Sequence, residues 1–131
     1  MATKAARNQI LYAGASVATP VAEGRGFKIS VPQDWLEDTS WGDTNKTYMA
    51  GLRDFKGNLT KWYDDAAFIL EDAANAATLL KFYWYPDRAA TGDYWYWSGY
   101  AGLTDQGGDI TSLIDETYDI MASGAATHKH A

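Results

Sequence analysis

Paired carboxylates are the first residues of this chain that could do chemistry, because a glycosidase needs two carboxyl groups facing each other about 5–10 Å apart. Adjacent acidic residues occur at Glu37-Asp38, Asp64-Asp65, Glu71-Asp72 and Asp115-Glu116. Neighbouring residues on a strand point to opposite faces, and no feature of the sequence selects a pair from distant segments. We therefore interpret these carboxylates as helix caps and solvated surface charges.

The two histidines of the chain could ligate a metal, since they form the His-x-His pair His128-Lys129-His130. No third ligand lies nearby in the sequence, and we interpret this segment as part of a flexible tail. With no other histidine, acid–base catalysis at neutral pH has no obvious agent. The sequence also lacks a glycine-rich phosphate loop and a nucleophile elbow. We predict that the chain is not an enzyme and has no catalytic residues, no metal and no cofactor.

Aromatic side chains are the densest chemical feature, with six Trp and nine Tyr in 131 residues. They concentrate in two runs, Tyr83-Trp84-Tyr85 and Tyr94-Trp95-Tyr96-Trp97. On a strand, the two tyrosines of the second run share one side and its two tryptophans share the other, so one set faces outward. Outward aromatic residues serve as interface anchors or as sugar-stacking platforms. The predicted interface candidates are Trp35, Trp41, Trp84, Trp95 and Trp97.

Composition indicates a single domain, because 131 residues is near the common domain size and 47% hydrophobic residues can fill a core. We divide the chain into a flexible N-terminal arm (1–7), a single β-rich domain (8–124) and a flexible C-terminal tail (125–131). The absence of cysteine excludes disulfides.

The charge of the chain argues against a surface that binds nucleic acid or a membrane. Its net charge is −6, and the 11 Lys and Arg residues are scattered, whereas phosphate binding needs clustered cations. Acidity favours repulsion of DNA. No apolar run approaches the roughly 20 residues of a membrane span. We predict no membrane partner and no specific binding of DNA.

Alternation of apolar and polar residues predicts several short strands and one helix. Residues 26–31 form the clearest strand, with period-two alternation that ends at Pro32. Apolar residues near 65–77 recur at helical spacing and predict the helix. Residues 110–123 fit a helical stripe better than a strand face. The predicted fold class is mainly β, a β-sandwich or barrel with one inserted α-helix near 65–77.

The most informative stretch of the sequence runs from Thr39 to Asp65. We predict a turn at Gly42-Asp43 and a hairpin turn at Lys56-Gly57-Asn58. Gly42 is expected to take a positive φ, and Gly51 a positive φ or a close backbone neighbour, because a Cβ resists both. The adjacent charges Arg53-Asp54 either hold this loop through a charge-assisted bond or stay solvated.

The order of these residues resembles a motif of the tail-tube (major tail) proteins of tailed phages and related virion proteins. That motif has a Gly-Asp turn, then Gly-Leu-(Arg/Lys)-Asp, a glycine turn and a strand that ends in an aromatic-Asp pair. The matching residues are Asp38, Thr39, Gly42, Asp43, Tyr48, Gly51, Leu52, Arg53, Asp54, Gly57, Trp62, Tyr63 and Asp64.

The resemblance implies a β-sandwich flanked by a helix, with 110–123 as a closing strand, and we predict a strand there despite its periodicity. It also implies a virion structural protein of tail-tube type. Copies would assemble into stacked rings that form an acidic tube for DNA passage, with the arm 1–7 and the loop 15–26 between rings. The partners would be the chain itself and other virion proteins, in a virion built from subunits made in the host cytoplasm.

Two alternatives remain open at the level of sequence. Relatives of this fold also decorate capsids, so the chain could be a capsid decoration or cement protein on the capsid surface. A carbohydrate-binding β-sandwich module would instead use Trp95 and Trp97 as its stacking platform.

Overall fold

The alternating segments of the sequence form strands in the computed structural model, which describes residues 5–21, 24–64 and 68–130. The elements are a 3-10 turn at Ala6–Asn8, strands β1 (Ile10–Gly14), β2 (Thr19–Pro20), β3 (Gly24–Ser30), β4 (Gln33–Glu37), β5 (Tyr48–Arg53) and β6 (Lys56–Trp62), helix α1 (Ile69–Ala76), and strands β7 (Leu80–Tyr85), β8 (Tyr94–Gly107), β9 (Asp115–Ala122) and β10 (Thr127–Lys129). The predicted fold class, mainly β with one helix, is confirmed. The segment 110–123 contains β9, so the strand predicted there is also confirmed.

One antiparallel sheet of eight strands dominates the fold, in the order β2-β1-β7-β8-β9-β6-β3, with β10 paired to the beginning of β8. The long strand β8 pairs with β7 in its first part and with β9 in its second part. Strands β1 and β3, near the two ends of this order, contact each other. The sheet therefore curls around a single core.

Alternate residues of the curled sheet fill the core, and α1 covers part of it. The buried apolar residues are Leu11, Ala13, Phe27, Phe55, Leu59, Leu70, Ala73, Leu80, Phe82, Trp97, Ala101, Tyr118 and Ile120. Trp97 stacks on Phe82 with ring centroids 5.4 Å apart and packs against Phe55 at 4.7 Å. Aromatic packing of this kind contributes area burial and a specific geometry.

Helix α1 is the predicted helix near 65–77. It buries Leu70 and Ala73 toward the sheet, as expected for an amphipathic helix, whereas Ile69, which the apolar periodicity also assigns to the buried side, is exposed. It ends at Ala77, which takes a left-handed conformation (φ 52°) and donates its N–H to the carbonyl of Ala73. The predicted beginning, residues 65–67, lies outside the described residues.

The hairpin turn predicted at Lys56-Gly57-Asn58 is wrong, because these residues lie inside strand β6. Gly57 pairs with Ile29 of β3 on one side and Ile120 of β9 on the other. A Cβ on Gly57 would lie 2.7 Å from the ring of Phe27. The glycine is thus explained by ring packing from another strand, which local turn patterns cannot reveal.

The C-terminal segment differs from the predicted tail. Thr127–Lys129 form β10 and pair with Tyr94–Tyr96 of β8. The ring of His128 stacks on Trp95 at 4.6 Å, and its Nε2 lies 2.8 Å from Oδ1 of Asp93. Aromatic stacking and a carboxylate partner hold this segment on the sheet. The flexible arm 1–7 stays a prediction, and its residues 1–4 lie outside the described part.

Within the described residues, no helix has the length and apolar character that crossing a membrane would require.

Candidate assembly interface

Strands β4 and β5 form a hairpin that stands apart from the main sheet as a two-stranded sheet of its own. At its base, Arg53 Nε donates to Oε1 of Gln33 at 3.0 Å, and the N–H of Asp54 donates to the carbonyl of Pro32. The side chain of Arg53 thus makes a charge-assisted bond at the base of the hairpin, and the carboxylate of Asp54 lies 3.4 Å from Nζ of Lys56. Both side chains are held locally by other partners.

The far end of the hairpin, residues 37–47, is ordered by its own polar groups. The carboxylate of Asp43 accepts from the N–H of Ser40 at 2.8 Å, and the N–H of Asp43 donates to the carbonyl of Ser40. Gly42 sits in this turn with φ +94°, as predicted. Asp and Gly are the residue types that such turns favour. The end of the hairpin is thus a pre-formed turn.

Large apolar side chains on this hairpin are exposed. They are Trp35, Leu36, Trp41, Tyr48, Met49 and Leu52. Trp41, at the turn, has a relative exposure of 104%. Monomeric soluble proteins rarely leave contiguous apolar patches of this kind uncovered, and larger ones mark interaction sites. The hairpin therefore has the composition of an interface.

The predicted interface tryptophans divide into three groups. Trp35 and Trp41 are exposed on the hairpin, whereas Trp84 and Trp95 are partly buried and pack against the core. Trp97 is only 3% exposed, so its place among the interface candidates is wrong. The reason is that the tryptophan side of β8 faces the core, between the rings of the three buried phenylalanines Phe27, Phe55 and Phe82.

The opposite side of the sheet carries tyrosines from three strands. This tyrosine face consists of Tyr12 (β1), Tyr83 and Tyr85 (β7), and Tyr94 and Tyr96 (β8). Tyr12 pairs with Tyr83 in register, and Tyr83 pairs with Tyr96. Partial burial, followed by the neighbouring tyrosines, raises the pKa of Tyr85. Ring stacking leaves a flat surface with hydroxyl groups, which suits contact with another protein.

The other motif residues are distributed over the hairpin and strand β6. Gly51 and Leu52 lie in β5, and Trp62 is the last residue of β6. The guanidinium of Arg25 lies 4.1 Å from the ring centroid of Trp62. Tyr63 follows β6 and donates its N–H to the carbonyl of Ile114 at 2.9 Å, and Asp64 comes next. The motif therefore describes a projecting hairpin and the strand that anchors it. It is not a cluster of side chains at one point.

Gly51 does not take a positive φ, but the predicted close approach is confirmed. A Cβ on Gly51 would lie 3.0 Å from the carbonyl oxygen of Asp34 and 2.9 Å from its Cβ. We predict that Gly51→Val separates β4 from β5 and lowers the free energy of unfolding by about 1 kcal/mol or more. Chemical denaturation followed by circular dichroism measures this. Gly24→Val is the control, since nothing lies within 4 Å of a Cβ there, and an equal loss in both variants would contradict the prediction.

A buried ion pair, which sequence reasoning missed, joins β6 to β9. Nζ of Lys61 lies 2.7 Å from Oε1 of Glu116, and the two side chains are 4% and 2% exposed. The other carboxylate oxygen accepts from Nε2 of Gln106 and from the hydroxyl of Tyr118. Burial, followed by the charge of Glu116, raises the pKa of the Tyr118 hydroxyl. Because both charged side chains are buried and paired, we interpret the network as structural.

Among the described residues, no group of three or more side chains is arranged to hold a metal ion. His128 instead contacts Trp95 and Asp93, as described above.

Comparison with solved structures identifies proteins that have a similar fold. No protein-family model matches the sequence, and neither does any curated protein. The fold is similar to that of a chain from the tail of an empty gene transfer agent particle with C6 symmetry, with a TM-score of 0.79 at 14% identity over 97% of this chain and 99% of that chain.

Two further structures have the same fold. A chain of the SPP1 tail tube gives a TM-score of 0.75 at 10% identity, over 98% of this chain and 80% of that chain. A chain of the sheath–tube complex of an extracellular contractile injection system gives 0.66 at 16% identity, over 98% and 93%. The resemblance to tail-tube proteins that the motif indicated is confirmed at the level of the fold.

Proposed function

We propose that this chain is a tail-tube subunit, a virion structural protein whose copies form rings that stack into a tube. The observation that carries the proposal is the match along nearly the whole length of both chains to a component of a tail particle. Matching over whole chains means that no additional domain is needed to explain the likeness.

The exposed hairpin supports assembly as the function. Its apolar side chains lie on a hydrogen-bonded two-stranded sheet, and the Trp and Tyr among them have few rotamers to freeze when a neighbour covers them. The main sheet ends at β2 on one side and β3 on the other, and neighbouring copies in a ring would protect these edges. Copies of the chain, together with other virion proteins, are therefore the proposed partners.

Electrostatics supports a passage for DNA that does not retain it. A net charge of −6 on each subunit accumulates around a ring and repels phosphates at the lumen surface. In this proposal the protein resides in the virion tail after its synthesis in the host cytoplasm, and DNA moves through the tube without specific contacts.

No observation favours the two alternatives. The sugar platform of Trp95 and Trp97 does not form, because Trp97 is buried and Trp95 is covered by His128. A capsid decoration protein would fit no described feature better than a tube subunit does.

Negative-stain electron microscopy of the purified protein, together with analytical ultracentrifugation, tests the proposal. We expect the protein to form rings or tubes, either alone or after a preformed ring of the tail is added as a seed. The proposal would be overturned if the protein stayed monomeric in the presence of the seed and bound only to capsids or to glycans.

A further inference from the structure

Three of the four arginines of the chain line one cavity of about 270 Å³. They are Arg7 of the N-terminal 3-10 turn, Arg25 of β3 and Arg88, which follows β7. The cavity lies where β1 and β3 approach each other, at the seam of the curled sheet. Because Arg7 and Arg25 are exposed, the cavity opens to the surface. Clustering of these cations is unexpected in a chain with net charge −6.

The cavity combines positive charge with an apolar wall. Among the described lining residues none is acidic, and the wall includes Leu11, Phe27 and Trp84. The guanidinium of Arg88 donates to the carbonyls of Arg7 at 3.0 Å and of Gln9 at 3.4 Å, both of which are neutral acceptors. The side chain of Arg25 is 43% exposed, and its guanidinium lies 3.7 Å from a carboxylate oxygen of Asp115 and 4.1 Å from the ring centroid of Trp62. A ligand that combines carboxylates with an aromatic ring would complement both properties.

The end of the hairpin, residues 37–47, has this composition. It contains Glu37, Asp38 and Asp43 against one cation, Lys46, and it presents the fully exposed Trp41. Its turn is pre-formed, as shown by the bonds between Asp43 and Ser40, so binding costs little ordering of the backbone.

Strand β3 separates the two surfaces. Gly24–Phe27 at its beginning line the cavity, whereas the chain enters the hairpin after Ser30 at its end. One copy can therefore present its hairpin while its cavity accepts the hairpin of the next copy. Contacts between two different surfaces of the same molecule are heterologous, and they propagate as a ring or as an open stack.

We propose that the arginine cavity of one subunit receives residues 37–47 of a second copy of this chain. This inference rests on the proposed tube function and adds to it the acceptor surface and its chemistry. The carboxylates of the incoming hairpin pair with the guanidinium groups, and the ring of Trp41 lies against the apolar wall beside them. The acceptor is formed by the 3-10 turn and β3, which border the arm and the loop that the sequence suggested as contacts between rings.

Charge reversal and charge exchange test this pairing. Arg7→Glu and Asp38→Lys each place like charges across the contact, so each is expected to raise the protein concentration needed for half-maximal assembly about tenfold or more. The double variant Arg7→Glu/Asp38→Lys restores opposite charges and should return this concentration to near the wild-type value. Light scattering and negative-stain microscopy measure assembly, and thermal unfolding shows that each variant is folded.

Lys56→Glu is the matched control, because it reverses an exposed positive charge on the interior strand β6, outside the cavity and away from the edges of the sheet. Assembly of this control should resemble that of the wild type. If the wild type assembles but Arg7→Glu does too, or if the exchange fails to restore assembly, the pairing is refuted and the tube function stands. If the wild type forms no rings or tubes even with a seed, the proposed function itself fails, and the pairing with it.

Discussion

Glu116→Gln lowers the free energy of unfolding by about 3–5 kcal/mol, because it leaves the buried ammonium of Lys61 without its counter-charge. The substitution keeps the shape of the side chain, but its single amide oxygen can accept either from Lys61 or from Gln106 and Tyr118, so the loss reports charge and hydrogen bonding and not packing. Chemical denaturation monitored by tryptophan fluorescence measures the change. A loss below about 1 kcal/mol, the range of exposed ion pairs, would contradict the prediction.

Two controls isolate the buried charge. The double variant Lys61→Met/Glu116→Gln removes both charges and should recover most of the stability, because well-packed neutral replacements of buried pairs are often neutral or stabilising. Asp54→Asn removes a carboxylate from the exposed pair with Lys56, and it should change the free energy of unfolding by about 1 kcal/mol or less. Equal losses in Glu116→Gln and Asp54→Asn would mean that burial does not set the size of the effect.

We expect that replacing both Trp35 and Trp41 by Ser abolishes the proposed assembly and leaves the monomer folded. The physical reason is that both side chains are exposed in the subunit, so they contribute little to its stability, whereas each removes about 150–250 Å² from water in an interface. Thermal unfolding should change by an amount typical of surface substitutions, about 0.5 kcal/mol for each. Sedimentation velocity and negative-stain microscopy measure the loss of rings and tubes.

Ile110→Ser is the matched control, since Ile110 is as exposed as Trp41 but lies in the turn between β8 and β9. This variant should assemble. Normal assembly of the Trp35/Trp41 variant would show that these side chains of the hairpin are not part of the interface. Equal loss of assembly in the control would show that exposed apolar surface acts without regard to its position.

Local patterns in the sequence predict the elements that are determined by residues close to each other in the chain. The apolar stripe of α1 and the alternation in β3 are both found in the structure. The turn at Gly42-Asp43 is also found, because its stabilising contacts are local: Gly42 takes the positive φ, and the carboxylate of Asp43 accepts from the N–H of Ser40, three residues earlier. By contrast, Gly57 resembles a turn glycine in sequence, and only the ring of Phe27, from a different strand, explains it.

Features that depend on distant segments were not predictable from spacing. Alternation shows that Trp95 and Trp97 share a side of β8, but the curl of the whole sheet decides that this side is the core. Lys61 and Glu116 are 55 residues apart, and their pairing follows from the register of β6 on β9. The arginine cavity likewise needs the approach of β1 to β3, which no local pattern encodes.

The length of β8 has a mechanical consequence. Gly99 pairs with Leu80 of β7 and also with Ala122 of β9, so it is the point where the two parts of the sheet meet. A Cβ at Gly99 would lie 2.0 Å from the carbonyl oxygen of Met121, so the strands are drawn together there as tightly as backbones allow. Among the described strands, β8 is the one that is hydrogen-bonded both to the β1–β7 part and to the β9–β6–β3 part. Tension that pulls these two parts of the sheet away from each other is therefore carried along the covalent backbone of β8, in addition to the contacts between β1 and β3.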